Sequence, residues 1–322
     1  MLIQSVPLIE ALKSESGKIL IASHENPDAD TLGSALALYR FLKLKGKDVT
    51  VACKDNVPYF LDFLPDVENV KKLPIDEGFE IGIVVDASGF YRLGAEVSCK
   101  KRARIDHHIG GEFYGELDYI DPEAPSTTSL IYRILKSWDE SLIDSKIAQN
   151  LYTGLATDTG FFRYSNTTSE VFSLAAELTK KGADPHLTHR MFSEREPLRR
   201  IELLRRVLGT IELYENGLIA SITVYAKFLE ETGCLHSDTE GFVSFPRSLE
   251  GVEVAFSLIE KPAEGIWKVS LRSKGRVNVA KIAQKLGGGG HAYASGCKIA
   301  AKSSKEAIDI LVGAIKEELE NL

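Results

Sequence analysis

Residues 18–24 have the sequence KILIASH, and residues 25–30 continue it with ENPDAD. A short apolar run that ends in a polar residue is typical of a buried β-strand. The helical pattern of residues 30–45 follows directly, and Gly46 ends it. A buried strand followed by a helix is the repeating unit of a parallel sheet, so this stretch predicts that kind of fold.

The alternation of strands and helices continues through the first half of the chain. Further strands are predicted at residues 48–53, 80–86 and 103–106, and helices at residues 126–138, 145–156 and 169–181. This order predicts an α/β fold for a first domain, residues 1–185, with a mainly parallel sheet and helices on both faces. A charged helical segment interrupted at Pro197 is expected to form a connector over residues 186–215.

The pattern changes after the connector. Strands are predicted at residues 217–225, 252–260 and 266–272, with a helix at residues 278–285 before a run of glycines and a final helix at residues 305–320. We therefore expect a second, smaller domain of mixed α/β type over residues 216–322.

Composition and charge restrict the classes of function. The 322 residues are 44% hydrophobic and 26% charged, as is usual for a globular protein of two domains. The formal net charge is −7, which disfavours binding of long nucleic acid because that affinity comes from many Lys and Arg contacts to phosphates. The apolar runs are too short to span a membrane and the four cysteines are scattered, so we expect a cytoplasmic protein with reduced thiols and no membrane partner.

Potential metal ligands stand at the ends of three predicted strands. His24 ends the first strand, Asp86 ends another, and residues 106–108 at the end of a third are Asp-His-His. The carboxyl ends of parallel strands form the ligand crevice of an α/β sheet. These side chains are therefore expected to meet at one edge of the sheet.

Further carboxylates accompany these ligands. Asp28 and Asp30 lie in the turn into the first helix of the α/β pattern, and Asp158 ends another helical segment. Several carboxylates at one edge repel one another, whereas two divalent metals sharing a bridging carboxylate would neutralise them and activate a water for attack on phosphorus. Each piece alone is more often a helix cap, a turn residue or a structural histidine. Four such pieces in this order favour a two-metal hydrolase.

The sequence resembles the DHH phosphoesterase superfamily at four motifs. The motifs are His24-Glu25-Asn26-Pro27-Asp28-Ala29-Asp30, the strand that ends in Asp86, the triplet Asp106-His107-His108, and Asp158. Residues 287–296, GGGGHAYASG, resemble the glycine-rich signature of the DHH-associated domain, so the likeness extends over nearly the whole chain. The chain is most similar to the stand-alone nanoRNase and pAp-phosphatase type. Ala29 stands where relatives commonly have Gly, and it would be strained if that position needs a positive φ.

The resemblance implies a role for each motif residue. The implied ligands of two metals are His24, Asp28 and Asp86 for one, and Asp30, Asp86, His107 and Asp158 for the other, with Asp86 bridging. His108 would contact the scissile phosphate or protonate the leaving oxygen, and Asp106 would orient a histidine. The donors are nitrogen and oxygen only, which suits Mn²⁺ or Mg²⁺. The family favours Mn²⁺, and Co²⁺ or Zn²⁺ stay open.

A substrate-binding surface is expected mainly in the second domain. The glycine run precedes a strand-like segment, which favours a loop whose backbone approaches a phosphate or a base over a flexible linker. An arginine at the end of a strand can clamp a phosphate with two hydrogen bonds, although a solvated strand end is the alternative. Another arginine, after the Asp158 motif, could reach a phosphate or form a surface ion pair. The predicted substrate-binding residues are Arg272, Ser273, Gly288, Gly289, Gly290, His291 and Arg163.

The resemblance implies a hydrolase that cleaves very short oligoribonucleotides (nanoRNA) to mononucleotides and dephosphorylates 3′-phosphoadenosine 5′-phosphate (pAp) to AMP by attack of a metal-activated hydroxide. One alternative is a phosphodiesterase for linear dinucleotides such as pApA in cyclic-di-AMP turnover. Another is an inorganic pyrophosphatase, which would need a compact basic cluster in place of GGGGH. A non-catalytic nucleotide-binding protein would have lost metal ligands. The expected partners are oligoribonucleotides of a few residues, dinucleotides or pAp, and the resemblance is compatible with a homodimer.

Overall fold

A computed structural model describes residues 2–320 of the chain, with side chains from residue 5 onward. The chain divides into two compact units, Met1–Arg195 and Glu196–Leu322. All four cysteines have free thiols. Within the part of the chain that is described, none of the helices combines the length and the apolar character needed to cross a membrane.

The first unit is built on a six-stranded parallel sheet. Its strands are β1 (Ile19–Ala22), β2 (Val49–Cys53), β3 (Lys71–Lys72), β4 (Gly78–Val85), β5 (Ser98–Asp106) and β6 (Tyr119–Ile120). Its helices are α1 (Leu2–Ser14), α2 (Ala29–Leu44), α3 (Thr127–Asp139), α4 (Ser145–Asp158), α5 (Ser169–Lys180) and α6 (Pro185–Ser193). The strand order is β3-β2-β1-β4-β5-β6, and each strand runs parallel to its neighbours. The predicted α/β class with a mainly parallel sheet is confirmed.

The two faces of this sheet are covered differently. Every residue of β1 is buried, as its continuous apolar sequence predicts for a central parallel strand. One face, with Ile19 and Ile21, packs against the long helices in a single large core. On the other face, the core around Leu20 contains the one-turn 3-10 helix Phe90–Leu93 and loop residues such as Leu73 in place of long helices.

The strand order brings two ligand-bearing segments side by side. From β1 the chain moves outward to β2 and β3, and it then returns to place β4 on the other side of β1. Such a reversal leaves a crevice at the carboxyl ends of the two central strands, where ligands bind in open α/β sheets. Ala22, near the end of β1, is in register with Val84 of β4, so the residues that follow both strands emerge next to each other.

The second unit contains a mixed sheet of six strands. They are β7 (Glu212–Tyr214), β8 (Ile219–Val224), β9 (Val254–Lys261), β10 (Ile266–Ser273), β11 (Gly289–His291) and β12 (Ala294–Ala300), in the order β11-β12-β10-β9-β8-β7. Only β8 and β9 pair in parallel among these described strands. The helices are α7 (Leu198–Leu208), α8 (Ala226–Thr232), α9 (Ser244–Arg247), α10 (Val279–Lys285) and α11 (Ser304–Glu320). The predicted mixed α/β class is confirmed.

Candidate metal centre

The turn between β1 and α2 fixes the first motif. Asp28 is the N-cap of α2, and its Oδ1 accepts a hydrogen bond of 2.9 Å from the backbone N–H of Thr31. This is the usual way in which an aspartate satisfies a free N–H at a helix start. Ala29 is the first residue of α2 and is not among the residues with positive φ, so the strain considered for an alanine at this position does not arise.

Asp86 stands at the middle of the centre, directly after β4. Its φ is +54°, a left-handed conformation that few residues other than glycine adopt and that often marks functional sites. Its backbone N–H donates to the carbonyl of Ile105 in β5 at 2.9 Å. Its two carboxylate oxygens accept hydrogen bonds from the hydroxyls of Thr31 at 2.6 Å and Thr127 at 2.9 Å.

The structure brings all six predicted metal ligands together. The potential ligand atoms form three groups, and within each group they all lie within 4.8 Å of one another. The groups are His24 with Asp28 and Asp86, Asp30 with His107 and Asp158, and Asp86 with His107 and His108. Nε2 of His107 joins the groups, because it lies 3.6 Å from Oδ1 of Asp86 and 3.4 Å from Oδ2 of Asp158. The first two groups correspond to the two implied metal sites.

Burial and mutual repulsion raise the pKa values of three carboxylates in this centre. Burial, followed by the charge of Asp86, raises the pKa of Asp30 to about 7. Burial, followed by the charge of Asp28, raises the pKa of Asp86 to about 6. The pKa of Asp158 is raised well above its ordinary value, first by burial and then by the charge of Asp30. Buried carboxylates that repel one another are stabilised when divalent cations neutralise them.

The two histidines present their ring nitrogens as metal ligands would. Nδ1 of His24 is 2.7 Å from the carbonyl of Glu25, and Nδ1 of His107 is 3.2 Å from the carbonyl of Ala124. A carbonyl can only accept, so Nδ1 carries the proton in both rings and Nε2 keeps its lone pair in the neutral imidazole. Such second hydrogen bonds orient metal-binding histidines in proteins. The donor set of imidazole nitrogens and carboxylate oxygens fits Mn²⁺ or Mg²⁺.

The hydroxyl of Thr31 lies between His24 and Asp86. Its oxygen lies 2.6 Å from Nε2 of His24 and 2.6 Å from Oδ2 of Asp86. Both are acceptors when His24 is neutral, and a hydroxyl has only one proton to donate. A cation on Nε2 of His24 would use that lone pair and leave the Thr31 proton for Asp86.

Asp106 and His108 form a separate pair beside the carboxylate cluster. Asp106 is fully buried, and its carboxylate accepts from the guanidinium of Arg104 and lies 2.6 Å from Nδ1 of His108. Burial opposes ionisation of Asp106, but the hydrogen bonds and charges of His108 and Arg104 outweigh it and lower its pKa to about 2. Burial also opposes the charged form of His108, but Asp106 and Asp86 outweigh it and raise the pKa of His108 to about 9.

Sequence analysis missed several residues that support the centre. The carboxylate of Asp30 accepts from the backbone N–H groups of Thr127 at 2.6 Å and Thr128 at 2.9 Å, and from the Thr128 hydroxyl at 2.7 Å. The run STTS at residues 126–129 predicts a helix start, and its four successive hydroxyl residues are a further signal of such a supporting role. Arg104 precedes Asp106 by two residues, which places both side chains on one side of β5.

The predicted substrate residues of the second unit lie around the glycine run. Arg272 of β10 and His291 of β11 are both in register with Ala294 of the strand between them. Side chains in register lie on the same face of a sheet, so Arg272 and His291 flank the small side chain of Ala294. Ser273 is buried, and its hydroxyl donates to Glu253 and accepts from the N–H of Gly275.

Two of the glycines are required by the local packing of β11 against β12. A Cβ on Gly288 would lie 2.1 Å from the carbonyl oxygen of Gly296, and one on Gly290 would lie 2.5 Å from Cα of Ser295. Gly289 faces open space. In the first unit, Arg163 is exposed and its Nε donates to the carbonyl of Gly160 at 2.7 Å.

Comparisons with known proteins agree with this fold. Residues 18–155 match the DHH family, N-terminal domain, and residues 222–321 match the DHHA1 domain. The bifunctional oligoribonuclease and PAP phosphatase NrnA of Thermus thermophilus is 36% identical over 319 residues, covering 96% of this chain and 93% of that protein. The cyclic-di-AMP phosphodiesterase PdeA of Listeria monocytogenes is 26% identical over 95% of this chain and 48% of its own. The crystal structure of an exopolyphosphatase-related protein from Bacteroides fragilis superposes with a TM-score of 0.89 at 27% identity, covering 98% of this chain and 96% of the other.

These similarities define the class of protein as a phosphoesterase, and hence a hydrolase, as predicted. The chain belongs to the DHH family and carries a DHHA1 domain, which confirms the family resemblance that the sequence motifs indicate.

Proposed function

We propose that this protein is a two-metal phosphohydrolase that cleaves very short oligoribonucleotides and removes a phosphate from pAp. The observation that carries the proposal is the convergence of carboxylates and imidazoles around buried Asp86 at the reversal point of the sheet. The relative from Thermus thermophilus, whose name includes both activities, supports the substrate class.

The proposed ligands follow the groups found around Asp86. One ion would be held by His24, Asp28 and Asp86, and the other by Asp30, Asp86, His107 and Asp158. Divalent ions held there would lower the pKa of a water molecule and would place positive charge beside a phosphate. Mn²⁺ remains the predicted native ion, with Mg²⁺ or Co²⁺ as alternatives.

His108 would act on the leaving group. Its Nδ1 is directed at Asp106, so in the charged form the proton on Nε2 is the one available to a substrate oxygen. The carboxylate of Asp106 fixes the orientation of the ring and stabilises its positive charge. We assign His108 to protonation of the leaving oxygen or to contact with the scissile phosphate, and Asp106 to its positioning.

Residues of the second unit would bind the substrate. Arg272 and His291 lie on one face of its sheet and can contact a phosphate and a base, while the exposed backbone of Gly289 can donate to either. The buried hydroxyl of Ser273 would act by holding the turn after Arg272. Gly288 and Gly290 would contribute by allowing the close pairing of β11, and Arg163 would provide a further positive charge in the first unit.

A substrate panel tests the proposal. We expect the purified protein with Mn²⁺ to hydrolyse pAp and RNA of two to five residues, and to leave long RNA and pyrophosphate nearly intact. Asp86→Asn should lower turnover by at least about a thousandfold because it removes the shared charge of both ion sites. Asp76→Asn, which changes an exposed aspartate, is the matched control and should have no effect. Hydrolysis of pyrophosphate alone would refute the proposed substrate class.

A second candidate is hydrolysis of the linear dinucleotide pApA in cyclic-di-AMP turnover. It is favoured by the likeness of almost this entire chain to about half of a cyclic-di-AMP phosphodiesterase. A kcat/KM for pApA that exceeds those for other dinucleotides and for pAp by a hundredfold would support this candidate over the first. A cytoplasmic location and a homodimer remain predictions.

A further inference from the structure

Two loops that follow ligand-bearing strands carry an exposed apolar surface. Among the described residues of the first unit, the three most exposed large apolar side chains are Tyr91 at 62%, Phe113 at 74% and Ile109 at 79%. Tyr91 lies five residues after Asp86, and Ile109 directly follows His108. Single exposed apolar residues are ordinary, but several on adjoining loops beside a polar crevice are typical of a binding surface.

The two loops are hydrogen-bonded to each other and to one shared arginine. The N–H of Glu112 donates to the carbonyl of Ser88 at 2.7 Å, and a Cβ on Gly111 would lie 2.3 Å from that same carbonyl oxygen. The buried guanidinium of Arg104 contacts the carbonyl of Ala87 on one loop and those of residues 110 and 112 on the other. The loop after β4 therefore cannot move far without the loop after His108.

Tyr91 is held in place although its ring is exposed. Its hydroxyl is hydrogen-bonded to Oγ of Ser88 at 2.6 Å, which folds the ring back over the segment that follows Asp86. The next carbonyl, that of Arg92, accepts from the N–H of Glu25 at 2.9 Å, one residue after His24. The turn that carries Tyr91 is therefore hydrogen-bonded to the motif that begins at His24 and to the loop that follows His108.

We propose that Tyr91 is a stacking platform for a nucleobase of the substrate, with Ile109 and Phe113 extending its apolar surface. This inference rests on the proposed function, because a base lies one sugar away from the phosphate at the metal centre. Aromatic side chains stack on any base, and a tyrosine with a fixed ring loses little conformational entropy on binding. Stacking also explains how a chain of net charge −7 can hold a nucleotide without a broad basic surface.

The test compares substrates with and without each base. KM and kcat are measured with Mn²⁺ for pApA and for two analogues in which one or the other base is replaced by hydrogen. The variants are Tyr91→Ala, which removes the ring, and Tyr91→Phe, which keeps it. Phe172→Ala, an exposed aromatic residue on α5, is the matched control. Thermal unfolding of each variant verifies that it folds.

We expect Tyr91→Ala to raise KM for pApA by about 5- to 150-fold, the range that corresponds to ~1–3 kcal/mol per stacked base. Tyr91→Phe and Phe172→Ala should stay within about twofold of wild type. One of the two analogues should bind wild type and Tyr91→Ala equally weakly, because the stacked base is already missing. An equal loss on pApA and both analogues, or no loss on any of them, would overturn the inference while leaving the proposed function intact.

If wild type hydrolyses none of these nucleotides, the proposed function fails. A binding measurement then tests whether Tyr91 stacks on a base. In that case pApA with a fluorescent 2-aminopurine base is titrated into wild type and both variants. Quenching by wild type and Tyr91→Phe but not by Tyr91→Ala supports stacking. Equal quenching by all three proteins, or none by any of them, refutes it.

Discussion

The substitution Asp86→Asn should make the metal-free protein more stable at pH 8, although it removes the central residue of the proposed site. Asp86 is only 3% exposed, and burial followed by the charge of Asp28 raises its pKa to about 6. At neutral pH the metal-free protein must therefore keep a buried carboxylate ionised beside other carboxylates. Asparagine has nearly the same shape and carries no charge.

The sign and size of the effect follow from proton binding to Asp86. Between pH 3.8 and about 6 the native state keeps a proton that the unfolded chain has released, so the stability of the metal-free wild type falls as the pH rises through this window. A pKa of about 6 in place of 3.8 corresponds to a loss of about 3 kcal/mol at pH 8. The asparagine loses one of the hydrogen bonds donated by Thr31 and Thr127, which costs about 1 kcal/mol. The variant should therefore be more stable than wild type by about 2 kcal/mol at pH 8 and less stable by about 1 kcal/mol near pH 4.

Urea unfolding in the presence of EDTA measures this difference. Trp138 packs against Phe41 with ring centroids 5.3 Å apart, so its fluorescence reports on the first unit when Trp267 of the second unit is replaced by Phe in every protein compared. Asp76→Asn controls for the loss of an aspartate charge at the surface. Saturating Mn²⁺ should then stabilise wild type and have little effect on Asp86→Asn. The same stability difference at pH 4 and pH 8 would refute the reasoning, because it would mean that burial of Asp86 carries no charge penalty.

Two further predictions concern residues outside the proposed ligand set. Arg104→Lys should destabilise the protein by about 3 kcal/mol, because a lysine cannot replace the guanidinium that donates to buried Asp106 and to the surrounding carbonyls. Urea unfolding measures this against Arg102→Lys, at an exposed position of the same strand, and equal effects of the two substitutions would contradict the prediction. Gly290→Ala should destabilise the second unit by about 1–3 kcal/mol, because the φ of Gly290 is +139° and a Cβ there would meet β12. The control Gly289→Ala should leave the thermal stability unchanged. A Gly290→Ala protein with the thermal stability of wild type would show that β11 is not paired in this way.

The sequence was sufficient to predict most of the long elements and the candidate ligands that the structure brings together, because both depend on local patterns. The continuous apolar run of residues 18–24 predicts a buried parallel strand, and β1 is Ile19–Ala22 with every residue buried. His24 and Asp86 are predicted ligands because each is a metal-binding residue type at the end of a strand. That they are neighbours depends on the position of β4 next to β1, which is a long-range pairing that no local pattern specifies.

The glycine run illustrates the limit of local patterns. Four successive glycines predict a backbone that can approach another group closely, and this property is present at Gly288 and Gly290. The partner of the close approach is the neighbouring strand β12 of the same sheet. From the sequence alone a substrate and a neighbouring strand are indistinguishable, because both require the absence of a Cβ.

The contrast between Asp86 and Asp106 shows how one residue type acquires two different pKa values at adjacent strand ends. Both are buried, yet the pKa of Asp86 is raised to about 6 and that of Asp106 is lowered to about 2. The difference arises because Asp106 is paired with the charge of Arg104 and with His108, whereas at Asp86 burial and the charge of Asp28 outweigh the neighbouring histidines. A carboxylate already neutralised by an arginine gains little from a divalent cation, whereas a cluster of unneutralised carboxylates gains much. The arginine two residues before the aspartate, on the same side of the strand, is therefore the sequence feature that separates Asp106, the proposed orienting residue, from the proposed metal ligands.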